Sequence, residues 1–363
     1  MTNDSTRLDA PIIPPIIPPI IPPTISRTRL SALLSAAQSQ HVVIVGDAML
    51  DVYLRGDVDR ISPEAPVPVV RIRERKLALG GAANVAQNVA ALGAGCNLVA
   101  VVGDDATGAT LRAHLEAGGM QSRSLVTGSR PTTTKTRVMA RSQQLVRFDE
   151  EDDADLTDNE IALVLEAIER ALPNATALVF EDYNKGVLVP KVIEGAIGLA
   201  RARKIPIVVD PKFRNFFAYR GATVFKPNRR ELESALGAAV DLDHPAALPT
   251  TFERLGVDHL LLTLGEQGMA LVSSDAVVHR VPTTAREVYD VVGAGDTVTA
   301  YLATMLAAGA TALEAAIVAN YAAGVEVGKL GAATVTADEV LEAFDAHRAA
   351  DGEADGETHA IPG

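Results

Sequence analysis

The stretch His41-Val-Val-Ile-Val-Gly46 is a short apolar run, and it begins an alternation of segments that extends through most of the chain. A helix-like segment comes next at 83–92, and then a second apolar run, Asn97-Leu-Val-Ala-Val-Val-Gly103. The alternation continues with strand-like runs near 177–180, 205–210, 223–225 and 259–263, separated by helix-like segments near 158–171, 190–203 and 229–236. Near-continuous apolar strands between helices are typical of a parallel sheet covered on both faces. We therefore expect an α/β fold with a mostly parallel sheet flanked by helices.

Two segments break this alternation. Apolar and polar residues roughly alternate within Pro66-Val-Pro-Val-Val-Arg-Ile-Arg73 and within 132–148, and no helix interrupts either segment. Period-two alternation indicates a half-exposed sheet. We predict a small β-sheet lid, from about 53–75 and 132–149, that covers a cleft or pairs with another subunit.

Composition limits the class of protein. Hydrophobic residues make up 48% of the 363 residues, but they occur in short runs, and none reaches the roughly 20 apolar residues that span a bilayer. With no signal-like N-terminus, we expect a soluble, cytoplasmic protein. A net charge of −13 argues against nucleic-acid binding, which depends on clustered Lys and Arg. Cys96 is the only cysteine, which excludes an internal disulfide and any Cys-based metal site.

The two ends of the chain differ in composition from the middle. Residues 11–23 repeat two prolines in every four residues, which forbids helix and favours extended polyproline II. We expect a disordered, proline-rich tail and lead-in over 1–39, with binding to an aromatic groove in a partner protein as the alternative interpretation. A folded domain over 40–346 and a disordered C-terminal tail over 347–363, rich in Gly, Asp and Glu, complete the chain.

Polar side chains follow the predicted strands at the points where the strands end. Ligands of open α/β sheets bind at the carboxyl ends of the strands, so these side chains are the first candidates for a site. They are Asp47, Asp104, Glu181, Asp182, Asp210, Lys212 and Asn228.

The segment Val292-Gly-Ala-Gly-Asp-Thr297 precedes an apolar stretch, 298–308, that predicts a buried helix. Glycine-rich backbone at a helix start presents unpaired N–H groups and the positive end of the helix dipole, which suits a phosphate. Asp296 at this turn is placed to accept a proton from a hydroxyl that attacks a phosphoryl group, with Gly293, Ala294 and Gly295 as an anion hole. Asp is also a favoured N-cap residue, and capping explains this stretch equally well.

Two better-known nucleotide motifs are excluded. The 293–298 segment has Val298 where a dinucleotide fingerprint has its third glycine. The segment Gly324-Val-Glu-Val-Gly-Lys-Leu330 is too short for a P-loop and has Leu330 where the magnesium-binding Ser or Thr belongs. We interpret it as helix-end packing.

Two further motifs have both a functional and a structural interpretation. Gly80-Gly81 opens a helix with Asn84 in its first turn; Asn84 suits sugar hydroxyls, whereas small residues here also suit close packing. Asn228 and Glu231 stand three residues apart at a helix start, so they suit one ligand site or a capping box.

The order of these motifs along the chain resembles that of the ribokinase-like carbohydrate kinase family, and the resemblance covers roughly 40–346. The motifs are, in order, Asp47, Gly80-Gly81 with Asn84, Asn228 with Glu231, and Gly293 to Asp296. Three segments resemble one group of this family more closely, the D-glycero-β-D-manno-heptose 7-phosphate kinases. They are Gly46-Asp-Ala-Met-Leu-Asp51, Arg60 to Val70, and Glu287 to Val298. The resemblance implies a ribokinase-like fold and ATP-dependent phosphorylation of the anomeric hydroxyl of heptose 7-phosphate, on the route to ADP-heptose for lipopolysaccharide core. Some such kinases are fused to an adenylyltransferase. Only residues 347–363 follow the segment with the resemblance, so we expect the adenylyltransferase activity to reside in another protein.

The resemblance also implies roles for single residues. Asp296 is the base and the backbone of 293–295 is the anion hole. Asn228 and Glu231 arrange the ATP phosphates and water around Mg²⁺, and Thr263, Gly265, Gly268 and Asn320 border the nucleotide. Asp47, Gly80, Gly81 and Asn84 hold sugar hydroxyls.

The sugar phosphate requires cations, and we predict Arg137 and Lys185 for it, with Lys135, Arg141 and Arg147 as alternatives. Glu181 departs from the family, in which many members have Ser before Asp-Tyr-x-Lys-Gly. A carboxylate there suits a hydroxyl or a metal-bound water, and its charge would repel a nearby phosphate.

Two rival functions stay open at this point. One is another phosphosugar kinase of the same family, such as a phosphofructokinase or tagatose-phosphate kinase. The other is a non-catalytic binding or assembly module that uses the proline-rich tail and the exposed strands. From the family we also expect a homodimer formed through the lid strands, which would cover an exposed sheet edge.

Overall fold

The structure is a computed structural model that describes residues 24–141, 143–244, 248–285 and 287–357, with side chains to residue 350. The proline repeat at 11–23 lies outside the described residues. Among the described residues, no helix combines the length and the apolar character needed to cross a membrane.

The main sheet has eight strands in the order β14-β13-β12-β11-β10-β9-β1-β4. The six strands from β4 to β12 run parallel, and β13 and β14 are added antiparallel at one edge. The bounds are β1 His41–Gly46, β4 Gly95–Val99, β9 Ala177–Glu181, β10 Ile207–Asp210, β11 Val224–Phe225, β12 His259–Thr263, β13 Met269–Ser273 and β14 Val278–Val281.

Ten helices are described: α1 Arg27–Ala37, α2 Ala82–Ala91, α3 Ala106–Ala117, α4 Asp158–Ala171, α5 Pro190–Arg203, α6 Arg229–Leu236, α7 Leu248–Leu255, α8 Ala294–Ala307, α9 Ala312–Glu326 and α10 Ala337–Glu357. They cover both faces of the sheet, because strand side chains alternate between two cores. In β1, Val42 and Ile44 pack in the core that includes α1, α2, α8 and α9. Val43 and Val45 pack in the core that includes α4 and α5.

A second sheet of four strands has the order β3-β2-β7-β8, with β2 Ala48–Ile61, β3 Pro68–Gly81, β7 Thr134–Ala140 and β8 Gln143–Glu150. Strand β2 begins directly after Asp47, and β3 ends directly before α2, so the small sheet projects from the carboxyl edge of the main sheet. The predicted α/β fold, with a mostly parallel sheet and a smaller sheet beside it, is confirmed.

Three local features differ from the expectations. The predicted strand over 97–103 is divided, because β5, Val101–Gly103, leaves the main sheet and pairs with β6, Val126–Gly128. Helix α1 lies before residue 40 and buries Leu30, Leu33 and Leu34, while α10 continues past residue 346. The folded elements therefore extend beyond 40–346 on both sides.

Candidate active site

Three charged side chains form a row at the carboxyl edge of the main sheet. Glu181 ends β9, Asp210 ends β10 as its register partner, and Lys226 follows β11. By strand alternation each lies on the same face as Val179, Val208 or Val224, which pack in the core that contains α8. The row therefore lies under the N-terminus of α8, and we call Glu181, Asp210 and Lys226 the charged row.

The N-terminus of α8 is built on Gly293. Its φ of +98° is left-handed, and an added Cβ would stand 3.1 Å from both Asn84 Nδ2 and Glu326 Oε1. Gly293 is the N-cap, and no side chain caps the helix. The first amide N–H groups of α8 are thus without a side-chain cap in the described structure, as an anion hole requires.

Asp296 lies in the first turn of α8 and is 5% exposed. Its Oδ2 accepts a hydrogen bond from Asn84 Nδ2 at 2.8 Å, and its Oδ1 accepts one from the Tyr183 hydroxyl at 2.8 Å. Since Gly293 is the N-cap and Asp296 bonds to other elements, capping does not explain this carboxylate. It is held by α2 and by the loop after β9.

Burial raises the pKa of Asp296 to about 6, with the nearby Asp210 acting in the same direction. The hydrogen bonds from Asn84 and Tyr183 act the other way, because they stabilise the charged form. A carboxylate with this pKa is mostly ionised at neutral pH and is a stronger base than an ordinary aspartate.

The glycine pair before α2 has a packing reason. A Cβ on Gly80 would stand 2.7 Å from Asp51 Oδ2. Gly81 has a φ of +57°, and a Cβ there would stand 2.4 Å from the Asp47 carbonyl oxygen. The pair brings β3 close to β2 and delivers Asn84, 1% exposed, to Asp296.

Asp47 has partners other than those expected. Its buried carboxylate accepts backbone N–H bonds from Tyr183 at 2.8 Å, Lys185 at 3.0 Å and Val187 at 3.2 Å. Burial raises the pKa of Asp47, and these three hydrogen bonds oppose the rise. The carboxylate thus holds the loop that carries Tyr183, a role that the sequence did not predict.

Asn228 and Glu231 form the capping box that local sequence favours. Asn228 Oδ1 accepts from the Glu231 N–H at 2.9 Å, and Glu231 Oε2 accepts from the Asn228 N–H at 2.8 Å. Glu231 Oε1 also accepts from Lys212 Nζ at 2.6 Å. Burial lowers the pKa of Lys212, but Asp210 and Glu231 outweigh it and the net pKa is raised. The box thus presents a carboxylate and an ammonium beside the sheet edge.

The other residues expected around a nucleotide lie at the β12 side of this edge. Thr263 ends β12 and bridges to Asn228. Gly265 and Gly268 form the turn after it, where Leu264 N–H donates to the Gly268 carbonyl at 2.8 Å. Asn320, on α9, donates from Nδ2 to the Pro282 carbonyl at 2.8 Å, so its amide group is engaged with backbone.

The cations expected for a sugar phosphate are paired with carboxylates. Arg137 Nη1 lies 2.6 Å from Asp51 Oδ1, and Lys185 Nζ lies 2.6 Å from Glu151 Oε1. Lys135 and Arg147 both pair with Asp149, and Arg141 lies in the β7–β8 turn with a φ of +54°. Arg137 and the three alternatives lie on or beside the small sheet, whereas Lys185 lies in the loop held by Asp47.

Two buried carboxyl groups have no hydrogen-bond partner among the described residues. Both oxygens of Glu181 and both oxygens of Glu326 are orphaned, and each side chain is 0% exposed. Burial, then Asp210 and Asp296, raises the pKa of Glu181 well above its ordinary value. Burial, then Asp290 and Asp296, raises the pKa of Glu326 to about 8.

Three residues of this site were not predicted from the sequence, Tyr183, Lys226 and Glu326, and neither was the ion pair of Lys212 with Glu231. Lys226 is 3% exposed and its Nζ donates to Asp210 Oδ2 at 2.7 Å. Its position directly after a strand was a signal that applied equally to the residues that were chosen. Tyr183 lies in the Asp-Tyr-x-Lys-Gly motif and Glu326 in the segment 324–330, but neither segment indicates a contact with α8, because the partners are distant in sequence.

Within the part of the chain that the structure describes, no cluster of three or more His, Cys, Asp or Glu side chains suits a metal ion. At the uncapped N-terminus of α8 lies the buried carboxylate of Asp296, with the ammonium groups of Lys212 and Lys226 below it. Such a site can deprotonate a hydroxyl next to a phosphoryl group.

Comparison with protein families agrees with this geometry. The model of the pfkB family of carbohydrate kinases matches residues 39–339. The bifunctional protein HldE of Rhodospirillum rubrum is 44% identical over 317 residues, which are 86% of this chain and 64% of that protein. The bifunctional protein HldE of Shewanella piezotolerans is 42% identical over 321 residues, or 88% of this chain and 66% of that protein. The chain thus spans about two thirds of the length of these relatives.

Solved structures share the fold at low sequence identity. Arabidopsis thaliana ribokinase complexed with ribose and ATP superimposes with a TM-score of 0.66 at 20% identity, covering 84% of this chain and 98% of that one. Escherichia coli phosphofructokinase-2 in complex with potassium gives a TM-score of 0.71 at 21% identity, covering 85% and 99%. The expected ribokinase-like fold is confirmed.

Proposed function

The chain belongs to the pfkB family of carbohydrate kinases, and from that premise we propose that it uses ATP to phosphorylate the anomeric (C1) hydroxyl of D-glycero-β-D-manno-heptose 7-phosphate. The 1,7-bisphosphate so formed would feed ADP-heptose and lipopolysaccharide core biosynthesis in the cytoplasm. The sugar rests on the motif resemblance. The observation that supports the chemistry is the Asp296 carboxylate, buried and held by two donors at the uncapped start of α8.

Asp296 acts as the general base. Its carboxylate takes the proton of the attacking hydroxyl, whose oxygen forms the new bond to phosphorus while the bond to the leaving ADP oxygen breaks. Asn84 and Tyr183 orient the carboxylate from two sides. The backbone N–H groups of Gly293, Ala294 and Gly295 stabilise the charge that grows on the phosphoryl oxygens.

ATP and Mg²⁺ would lie on the β11–β12 side of this helix start. Mg²⁺ usually takes one or two protein carboxylates, water and substrate phosphates, and the single carboxylate of Glu231 beside Asn228 fits that pattern better than a site made of protein ligands alone. When bound, the ion neutralises phosphate charge. Thr263, Gly265, Gly268 and Asn320 would border the nucleotide.

The acceptor sugar would lie between α8 and the small sheet. Asn84 and the backbone at Gly80 and Gly81 face its hydroxyl groups. Arg137 and Lys185 serve the 7-phosphate, and each would exchange its present carboxylate partner for the ligand. An Ala substitution at either position should raise KM for the phosphosugar more than it lowers kcat.

A coupled ADP-release assay with Mg-ATP tests the proposed substrate. Heptose 7-phosphate should react faster than fructose 6-phosphate, fructose 1-phosphate or tagatose 6-phosphate, and NMR should place the new phosphate on C1. Faster consumption of a hexose phosphate would assign another kinase of the family. Transfer to none of these would favour a binding or assembly module.

A second assay tests the base. Asp296→Asn should lower kcat by at least about 10², while Asp258→Asn, an exposed position before β12, should leave it unchanged. Equal rates for Asp296→Asn and the unaltered chain would exclude Asp296 as the base.

We also propose that the chain forms a homodimer through the small sheet. Exposed apolar side chains are concentrated there: Val58, Ile61, Ile72, Leu145, Val146 and Phe148. A second copy of the same sheet would cover such a patch. Light scattering should give twice the chain mass, and Phe148→Glu should give the monomer; a monomeric unaltered chain would refute the dimer.

A further inference from the structure

Together with Asp296, the charged row brings three acids to the N-terminus of α8, and bonds stabilise only two of them. Asp296 has two donors on its oxygens, and Asp210 has the Lys226 ammonium at 2.7 Å. Glu181, at 0% exposure, has no partner on either oxygen among the described residues. The three acids share one buried environment but are not equivalent in what stabilises their charge.

A buried carboxylate without a donor is costly, whereas its protonated form is not. Full ionisation would place three carboxylates and one buried ammonium beneath the helix start that must receive phosphate. The second ammonium nearby, that of Lys212, is already bonded to Glu231. The bonds therefore assign the charges to Asp296 and Asp210 and the proton to Glu181.

We propose that Glu181 is a positioning residue that stays protonated, so that the negative charge of the base is localised on Asp296 and the helix start stays free for phosphate. This role rests on the proposed function of Asp296 and deepens it. The strand register supports it, because Glu181 lies between Gly46, which has no side chain, and Asp210. The carboxyl group fills space beside the base without adding charge.

The groups that act on Glu181 come from each neighbouring element. Asp210 and Asp296 disfavour its ionisation, Lys226 and Lys212 favour it, and burial outweighs them all in raising its pKa. Tyr183, which is partly buried, donates its hydroxyl to Asp296 and so leaves Glu181 without that bond. Ionisation at alkaline pH would add a negative charge beside the anion hole and weaken phosphoryl transfer.

The test compares Glu326→Gln with the Glu181→Gln/Glu326→Gln double variant, since Glu326 is a second buried acid near α8 that also titrates at alkaline pH. Glu194→Gln, at an exposed site on α5, is the control. With whichever phosphosugar proves best, the two variants should agree in kcat at neutral pH within about threefold and in the acid limb of kcat/KM. The alkaline fall of kcat/KM should be lost only in the double variant.

Two kinetic results would overturn the proposal. A downward shift of the acid limb by about one pH unit in the double variant would mean that Glu181 is ionised beside Asp296. An unchanged alkaline fall would mean that Glu181 does not titrate there.

Infrared spectra at neutral pH give a readout that needs no substrate: Glu181→Gln alone should remove one protonated-carboxyl C=O band from the spectrum of the unaltered chain. Retention of every such band would refute the proposal even if the sugar assignment is correct, and loss of one would support it even if the sugar assignment fails.

Discussion

Replacing Tyr183 by phenylalanine removes one of the two hydrogen bonds on the Asp296 carboxylate and leaves the ring in place. The lost bond is 2.8 Å long and part-buried, and a hydrogen bond to a charged group contributes about 1.5–3 kcal/mol. At about 1.4 kcal/mol per pKa unit, the pKa of Asp296 should rise from about 6 to roughly 7–8. The base must be ionised to act, so the acid limb of kcat/KM moves upward by the same amount.

The rise should lower kcat/KM at pH 7 by about fourfold for a shift of about 1.5 units, while the plateau at higher pH stays nearly constant. The assay is ADP release from about pH 5 to 9 with saturating Mg-ATP. Tyr301→Phe is the matched control, because its buried hydroxyl donates to the neutral Val335 carbonyl at 2.9 Å. An acid limb at the same pH in Tyr183→Phe and the unaltered chain would refute Asp296 as the titrating base.

Three further substitutions test the geometry around α8. Gly293→Ala puts a Cβ on a residue with a φ of +98° and places that Cβ 3.1 Å from a Glu326 oxygen. It should lower the melting temperature and the activity by more than the control Gly309→Ala, whose Cβ meets nothing described within 4 Å at a φ of +85°. Equal effects of the two substitutions would contradict this. Glu326→Gln should remove a loss of up to about 5 kcal/mol in the free energy of unfolding, because a raised carboxyl pKa gives stability that is lost as pH rises from 4.5 to about 8; urea unfolding across this range measures it, and parallel curves would count against it. Lys226→Met should lower the free energy of unfolding by about 3–5 kcal/mol, because it leaves Asp210 unpaired. Adding Asp210→Leu should recover most of this stability in the same urea assay. No recovery would mean that the loss comes from packing rather than from the unpaired charge.

The fold was predictable because its signal is local. Each central strand of the main sheet is a short apolar run, and segments with a helix-like pattern follow β9 and β11 as α5 and α6. The edge strands β13 and β14 were missed, since two short strands that pair antiparallel leave no helix-like segment between them. Helix α1 was also not predicted, although its buried residues Leu30, Leu33, Leu34 and Ala37 have helical spacing. The proline repeat just before it predicts extended backbone, and that prediction was extended to residue 39.

The site was predictable only in part, since its side chains meet across long sequence separations. Gly293 to Asp296 is a local motif, so its position at a helix start could be predicted from adjacent residues alone. The contact of Asp296 with Asn84 and Tyr183 depends on three elements packing together. Asp47 shows the limit most clearly: a strand end predicts that a polar side chain is near the ligand edge, but not whether it faces a ligand or the backbone of a neighbouring loop.

The β2–β3 hairpin of the small sheet leaves and rejoins the main domain at nearly one point. The Ala82 N–H donates to the Asp47 carbonyl at 3.0 Å, so the segment 48–81 begins and ends at a closed hydrogen bond. Asp47 also fixes the loop that carries Tyr183 to Asp296. Changes within 48–81 can therefore vary two of the four strands of the small sheet while the contacts of Asp296 with Asn84 and Tyr183 stay in place.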